Sequence, residues 1–275
     1  MDNITELLNV ENAESANGDY TKDGLLHCGK CNVPKEKELE VMGEIELFPH
    51  MCECERAEHG RKQAEEAEAE RRYRIRELRN EYIKDPRYKE PTFDIADGDL
   101  QWAENYVEAW DNIKADSTMG LLLFGDTGTG KTFAACCIGN ALIEHETRVM
   151  IANMSDLLND VGNLKDYPRE EAIKKIQSCD LLIIDDFGVT RNTEYANEIV
   201  YKIIDIRYRA KKPMIITTNL TPAMLTNETN IDLKRTYQRI IECCRAKEMN
   251  GINHRVNIAK QSKIKMDEIL NNGTA

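Results

Sequence analysis

The sequence predicts an α/β fold, a parallel five-stranded sheet flanked by helices, preceded by a small metal-stapled module and a helical linker. Three observations carry that expectation. Strand and helix signals alternate from Met119 onward. A glycine-rich loop, Gly125–Gly130, sits between an apolar run (LLLF) and a helical pattern. Four cysteines, Cys28, Cys31, Cys52 and Cys54, cluster in a segment with little helical period.

The elements follow in order. Residues 1–23 are polar and are expected to stay unstructured. Residues 24–60 hold the clustered cysteines and Pro34. The Ala-, Glu- and Arg-rich stretch from Glu55 to Ile83, with a weak stripe at Ile75, Leu78 and Tyr82, reads as a solvated connecting helix. Pro86 and Pro91 punctuate a linker, and Trp102–Ile113 reads as a helix. Strands are expected at Gly120–Phe124, Arg148–Ala152, Asp180–Ile184 and Pro213–Thr217, with a further one at Arg255–Ile258. Helices are expected at Lys131–Glu144, Ser155–Cys179, Thr193–Ala210, Leu233–Cys244 and Lys260–Leu270. The order implies helices on both sheet faces. The domains would be 1–60, 61–90 and 91–275.

Composition narrows the class. Of 275 residues, 41% are hydrophobic and 31% charged, enough for one substantial core and a small accessory module. The net charge is −12, but residues 1–70 hold 18 acidic and 7 basic side chains and the rest 31 and 30. The acidity therefore belongs to the N-terminal part and leaves room for a nucleic-acid surface elsewhere. No apolar run approaches the roughly 18–20 residues of a membrane span, and the acidic start lacks a secretory pattern. A cytoplasmic protein is expected, without a membrane partner.

Gly125, Asp126, Thr127, Gly128, Thr129, Gly130, Lys131 and Thr132 fit the pattern G-x-x-x-x-G-K-S/T in full. Such a loop turns successive N–H groups onto phosphate oxygens, helped by the following helix N-terminus. Lys131 would reach the β- and γ-phosphates of ATP, and Thr132 would coordinate Mg²⁺. The run DLLIIDD, ending at Asp185 and Asp186, supplies a second metal anchor 54 residues after Lys131. Asp185 would hold Mg²⁺ and Asp186 would polarise the attacking water; the plain alternative is a pair of helix-capping aspartates. A strand at 213–219 inserted between the loop strand and the Asp185 strand would bring Asn219 near the γ-phosphate; a polar residue at a strand end could equally be a turn former.

The set TFD (92–94), GDTGTGKT, IANMSDLL, LLIIDDFGV, IRYRAKKPMIITTN and KRTYQRI, spanning roughly Tyr88 to Val256, resembles the AAA+ ATPases of the helicase-loader and transposition-helper branch (DnaC, DnaI and IstB-like proteins). The resemblance implies an AAA+ P-loop fold, with Asn219 as the γ-phosphate sensor. It implies Arg239 as an arginine finger reaching a neighbouring subunit's nucleotide, with Arg235 a second candidate, and Arg255 as a phosphate-contacting sensor. Each arginine is otherwise an ordinary surface residue. Many AAA+ enzymes carry Asp-Glu where this chain has Asp185-Asp186, which suits slow, switch-like hydrolysis.

Cys28, Cys31, Cys52 and Cys54 form C-x₂-C and C-x-C pairs that can close a tetrahedral Zn²⁺ site. His27, His50 or His59 could replace a cysteine, and an iron–sulfur cluster or reduced thiols are the alternatives. Cys136, Cys137, Cys179, Cys243 and Cys244 read as small core residues. Some loaders of the branch carry an N-terminal zinc domain that contacts the replicative helicase.

No long basic run marks a nucleic-acid surface. In the resembling branch the stretch 190–195 contributes contacts to single-stranded DNA, and Thr193 and Tyr195 fall on it; otherwise Thr193 caps a helix and Tyr195 packs on it. Arg207, Arg209, Lys211 and Lys212 form a modest basic patch. The leading expectation is an ATP-dependent loader of a hexameric DnaB-type replicative helicase onto single-stranded DNA, self-assembling through its ATPase domain. The runner-up is an IstB-like transposition helper on duplex DNA, and the third reading is a scaffold with a nucleotide switch.

Overall fold

The computed structural model describes residues 18–116, 118–162, 165–188, 193–251 and 253–272. The chain divides into two compact units, Met1–Tyr73 and Arg74–Ala275.

The first unit is built from two hairpins. Strands β1 (Tyr20–Lys22) and β2 (Leu25–His27) pair antiparallel across Asp23 and Gly24; β3 (Glu36–Val41) and β4 (Glu44–Pro49) pair across Met42 and Gly43. All four turn residues have positive φ, the mirror-image turn whose twist matches that of a strand pair. Part of the stretch expected to be unstructured is thus strand β1, while residues 1–17 lie outside the described residues. Among residues 18–60 only Asp19, Cys28 and Cys52 are buried. Helix α1 (Glu53–Tyr82) follows, laced by exposed pairs such as Lys62–Glu58 at 3.3 Å and Arg72–Glu68 at 3.4 Å, which solvent screens. It runs through the position 60/61 expected to separate module from linker.

In the second unit, two turns of 3₁₀ helix (Pro86–Tyr88 and Phe93–Ile95) lead to α2 (Gln101–Glu108) and α3 (Trp110–Ile113), two short helices where one was expected. Strand β5 (Gly120–Phe124), helix α4 (Lys131–Glu144) and strand β6 (Val149–Asn153) follow. The single helix expected at Ser155–Cys179 is also two, α5 (Met154–Val161) and α6 (Asp166–Ser178). Gly162 caps the first, and Pro168 sits in the first turn of the second, where a missing N–H is harmless. Next come β7 (Leu181–Phe187), α7 (Glu194–Ala210), β8 (Met214–Thr218), α8 (Pro222–Thr226), α9 (Ile231–Cys243), β9 (Cys244–Glu248) and α10 (His254–Asn272).

The sheet has the order β6-β7-β8-β5-β9, with every neighbouring pair parallel. Its fifth strand is β9, not Arg255–Ile258, which lies inside α10. The polar CRAKE sequence of β9 fits an edge position and carries no apolar alternation. Side chains alternate across the sheet. Leu122, Leu182, Ile184, Met214 and Ile216 enter one core with Leu157, Ile176, Ile203 and Ile240. Leu123, Leu181, Ile183 and Ile215 enter the other with Ile138, Leu142, Tyr106 and Trp110. That two-sided burial explains the unbroken apolar runs. Just after α1, Ile83 bridges Ile151 in parallel at the β6 edge.

Of the basic patch expected at Arg207, Arg209, Lys211 and Lys212, only Arg209 and Lys211 are exposed. Arg207 is fully buried and donates from Nη1 to the carbonyls of Ile176 (3.0 Å) and Cys179 (2.9 Å), and from Nη2 to those of Asp180 (3.2 Å) and Pro213 (2.6 Å). Lys212 donates to the carbonyls of Ser178 and Cys179. Arg207→Leu would strip four carbonyls of a donor at once. It is expected to destabilise the chain by about 3 kcal/mol, read as a lowered urea midpoint with an unchanged slope.

Candidate nucleotide site and cysteine cluster

The loop between β5 and α4 runs Gly125–Gly130 and delivers the N-terminus of α4 to a cavity of about 700 Å³, a volume suited to a nucleotide. Two glycines are forced by their neighbours. Gly125 (φ 142°) would meet the Met249 carbonyl oxygen with any Cβ, and Gly128 (φ 88°) would meet the Asn253 side chain. Lys131 is buried, and its Nζ donates to the carbonyls of Gly125 (2.8 Å) and Asp126 (2.7 Å). Thr129 Oγ1 donates to the Asp126 carbonyl at 2.9 Å.

Asp185 ends the apolar run of β7 and is 5% exposed. Its Oδ1 accepts from Thr132 Oγ1 (2.7 Å) and Thr217 Oγ1 (2.6 Å), and its Oδ2 from the Tyr88 hydroxyl (3.1 Å). Asp186 follows in a left-handed conformation (φ 53°), where the β7–β8 register shifts between Ile184 and Phe187. This bulge breaks the strand alternation, so Asp185 and Asp186 both line the cavity. Thr217 Oγ1 accepts from the Asp186 N–H at 3.1 Å, which holds the bulge. Asn219, just past β8, lines the same cavity, and β8 lies between β5 and β7.

The structure therefore brings Lys131, Thr132, Asp185, Asp186 and Asn219 together. Thr132 and Asp185 offer the hydroxyl and carboxylate oxygens that a hard divalent cation such as Mg²⁺ takes.

Arg239, Arg235, Thr193 and Tyr195 do not line this cavity. Arg239 is on α9, with Nη1 2.6 Å from Asp205 Oδ1 and its guanidinium over the rings of Tyr201 (4.6 Å) and Tyr208 (5.2 Å). It does not line the cavity of its own chain. Arg235, one turn earlier, is exposed. Arg255 falls on α10, and its side chain lies outside the described residues. Thr193 Oγ1 caps α7 by accepting from the Ala196 N–H (3.2 Å), and the exposed Tyr195 donates from its hydroxyl to the Gly162 carbonyl (2.8 Å). Residues 189–192, which include Thr190, lie outside the described residues.

The opposite cavity wall was not legible as such. Arg87, Tyr88, Pro91, Ile95 and Leu100 form it, together with Met249–Gly251. The proline-marked segment read as a linker is thus part of the site. Buried Asn140 on α4 fixes it by donating from Nδ2 to the carbonyls of Tyr88 (2.9 Å) and Pro91 (2.8 Å). An asparagine in an otherwise apolar helix (AACCIGNALI) is the one mark this wall leaves in the sequence.

In the first unit, the sulfurs of Cys28, Cys31, Cys52 and Cys54 lie within 4.8 Å of one another, and all nine cysteines of the chain are free thiols. Four sulfurs so grouped fit a tetrahedral thiolate shell, in which a zinc–sulfur distance near ~2.3 Å applies. The backbone N–H groups of Cys31 and Lys30 bring the Cys28 thiol down to about 7, toward the thiolate a metal requires. Around the cluster, Lys35 Nζ pairs with Asp19 Oδ2 and Glu55 Oε1, both at 2.5 Å, while Asp19 Oδ1 accepts from the Gly29 N–H at 3.0 Å. His27, His50 and His59 are not part of the cluster.

Comparison with known proteins places this geometry. The family described as IstB-like ATP binding protein matches residues 105–256. The replicative helicase loader DnaC of Escherichia coli is 29% identical over 123 residues, 44% of this chain and 49% of that protein. DnaI of Bacillus subtilis, also a replicative helicase loader, is 26% identical over 147 residues, 50% and 47% of the two chains. An insertion sequence ATP-binding protein of Sinorhizobium fredii is 34% identical over 100 residues, 36% of this chain and 33% of that one. The chain spans at most about half the length of these relatives. Among solved structures, the DnaC helicase loader superposes with a TM-score of 0.53 at 22% identity, covering 60% of this chain and all of that one. DnaI does so with 0.52 at 20% identity, covering 64% and 98%. These show a shared AAA+ fold. With its complete phosphate loop on that fold, and the family match over more than half its length, the chain belongs to the IstB-like ATP-binding protein family.

Proposed function

We propose that this protein is an ATP-dependent loader that delivers a replicative DnaB-type helicase to single-stranded DNA, its first unit docking on the helicase and its second unit binding and hydrolysing ATP. The observation that carries the choice over a transposition helper is the four-cysteine unit ahead of the ATPase. Its β3–β4 hairpin exposes Leu39, Val41, Met42, Ile45, Leu47 and Phe48 among five glutamates. Exposed apolar residues on an isolated two-stranded ribbon mark an interaction surface, and the glutamates suit a basic partner patch.

In this reading Lys131 leaves the Gly125 and Asp126 carbonyls and moves its charge onto the β- and γ-phosphates. Thr132 and Asp185 would hold Mg²⁺, which when bound neutralises charge developing on the phosphoryl oxygens. Asp186 orients the attacking water, Asn219 senses the γ-phosphate, and Arg255 contacts the phosphates in cis. Arg239 would complete a neighbouring subunit's site, and its pairing with Asp205 and two tyrosine faces means it must be released when subunits assemble. Thr193 and Tyr195 would meet single-stranded DNA. Zinc on the four cysteines would staple the docking unit. Among the described residues no helix is long and apolar enough to cross a membrane, in keeping with action in the cytoplasm.

The test is co-purification of the full chain with the hexameric helicase of the same cell, with and without ATP. Stable complex formation, followed by release under hydrolysis, supports the loader. No complex, together with ATP-dependent filaments on duplex DNA, would give the role to the transposition helper. Within a complex, the double substitution Ile45→Glu and Leu47→Glu is expected to weaken helicase binding by roughly 30-fold, the loss of about 2 kcal/mol at a contact hot spot. ATP affinity should be untouched.

A further inference from the structure

The carboxylate of Asp185 is held from three directions. Two donors, Thr132 and Thr217, come from the phosphate-loop helix and from β8, and both bond Oδ1. The third, Tyr88, comes from outside the sheet altogether, and its hydroxyl donates to Oδ2 at 3.1 Å. An ionised carboxylate offers about four acceptor positions. With three taken, one position on Oδ2 remains. Removing the phenol would open a second position on that oxygen and free the carboxylate to rotate.

Tyr88 is itself over-determined. It ends the 3₁₀ turn Pro86–Tyr88, whose first residue is a proline and whose cap is Asp85, accepting from the Arg87 N–H at 2.9 Å. Its carbonyl is pinned by Asn140 Nδ2, as is that of Pro91, and its side chain is 5% exposed. A phenol offers one O–H donor and the carboxylate only acceptors, so the Tyr88 hydroxyl donates. One segment therefore does two things: Tyr88, Pro91 and Ile95 wall the cavity, and the Tyr88 hydroxyl holds the Asp185 carboxylate.

We propose that Tyr88 is a positioning residue for the magnesium site: its hydroxyl fixes the Asp185 carboxylate and ties the N-terminal wall of the nucleotide cavity to metal binding. The proposal rests on the ATP–Mg²⁺ reading above. Hydrogen-bond partners of metal-ligating groups tune metal affinity by about 10- to 100-fold, although they never touch the metal.

The experiment measures binding of a fluorescent ATP analogue to the full chain in EDTA and across a Mg²⁺ titration, for wild type, Tyr88→Phe and Asn140→Ser. Tyr88→Phe keeps the ring and removes only the donor. The ratio of affinities with and without Mg²⁺ is the readout, because it cancels any general loss of packing in the wall. The ratio is expected to fall about tenfold in Tyr88→Phe, with the Mg²⁺ midpoint moving up by a similar factor. Asn140→Ser, which loosens the segment but keeps the phenol, should shift the midpoint in the same direction by less, and it carries the test if Tyr88→Phe does not fold. Affinities that fall equally with and without Mg²⁺ would reduce Tyr88 to a packing residue and overturn the proposal. A wild type that binds the analogue with Mg²⁺-enhanced affinity beside variants with unchanged midpoints would overturn it while leaving the ATP reading intact. A wild type whose nucleotide binding ignores Mg²⁺ defeats both.

Discussion

Lys131→Ala is expected to lower ATP turnover by about 10²–10³-fold, the usual consequence of removing one preorganised donor from developing phosphoryl charge. The single-turnover rate of the full chain is the measurement. The structure adds a second expectation. Lys131 Nζ now bonds the carbonyls of Gly125 and Asp126, so the variant loses a tie across the loop as well as a phosphate ligand. Lys131→Arg separates the two losses. It keeps the charge but places a planar fork where a compact ammonium fits, and a rate recovered only in part would assign the remainder to geometry. Turnover unchanged in Lys131→Ala would refute hydrolysis at this loop and favour a nucleotide-binding scaffold.

Removing the zinc proposed for the cysteine cluster is expected to unfold the first unit while leaving the melting of the second unchanged. Among residues 18–60 the buried side chains are Asp19, Cys28 and Cys52. Two of these are cluster thiols and the third is the carboxylate that braces Lys35. No apolar core exists there to offset chain entropy, whereas a structural zinc site contributes roughly 10–16 kcal/mol in small metal-folded peptides. Chelation should therefore abolish amide-exchange protection in both hairpins, and zinc should restore it. Cys52→Ser, in the deepest position, should have the same effect. Hairpins that stay protected after complete metal removal would show that the unit is held by other means.

How much of this was legible depended on what each element is made of. The strands bearing Leu122, Ile183 and Ile215 are buried on both faces, so their apolar runs announced them. The phosphate loop was legible because glycine at Gly125 and Gly128 is dictated by close approach, which leaves a mark in sequence. Strand β9 left none: at the sheet edge its ladder is made by the backbone, and Arg245, Ala246 and Glu248 face solvent. Asp23-Gly24 is a hairpin-turn pair, but β1 lies in the polar stretch read as unstructured, and Met42-Gly43 carries no such signal. The Tyr88–Asp185 bond joins residues 97 positions apart and follows no period, so only the folded chain reveals it. Arg239 was singled out by its motif, but its present partners, Asp205 and two tyrosines on α7, are a tertiary fact.

The bridge between Ile83 and Ile151 has a consequence for how copies of this chain can associate. A parallel sheet has two open flanks, and each is an invitation to a stray strand. Here one flank is stopped by backbone pairing at a single residue immediately after α1. The other presents β9, where Lys247 lies over the Trp102 ring at 4.7 Å and charges discourage a flat partner. With both flanks blunted, copies are steered away from runaway strand-to-strand stacking. The self-assembly proposed above would then be joined through helices and loops rather than through sheet edges.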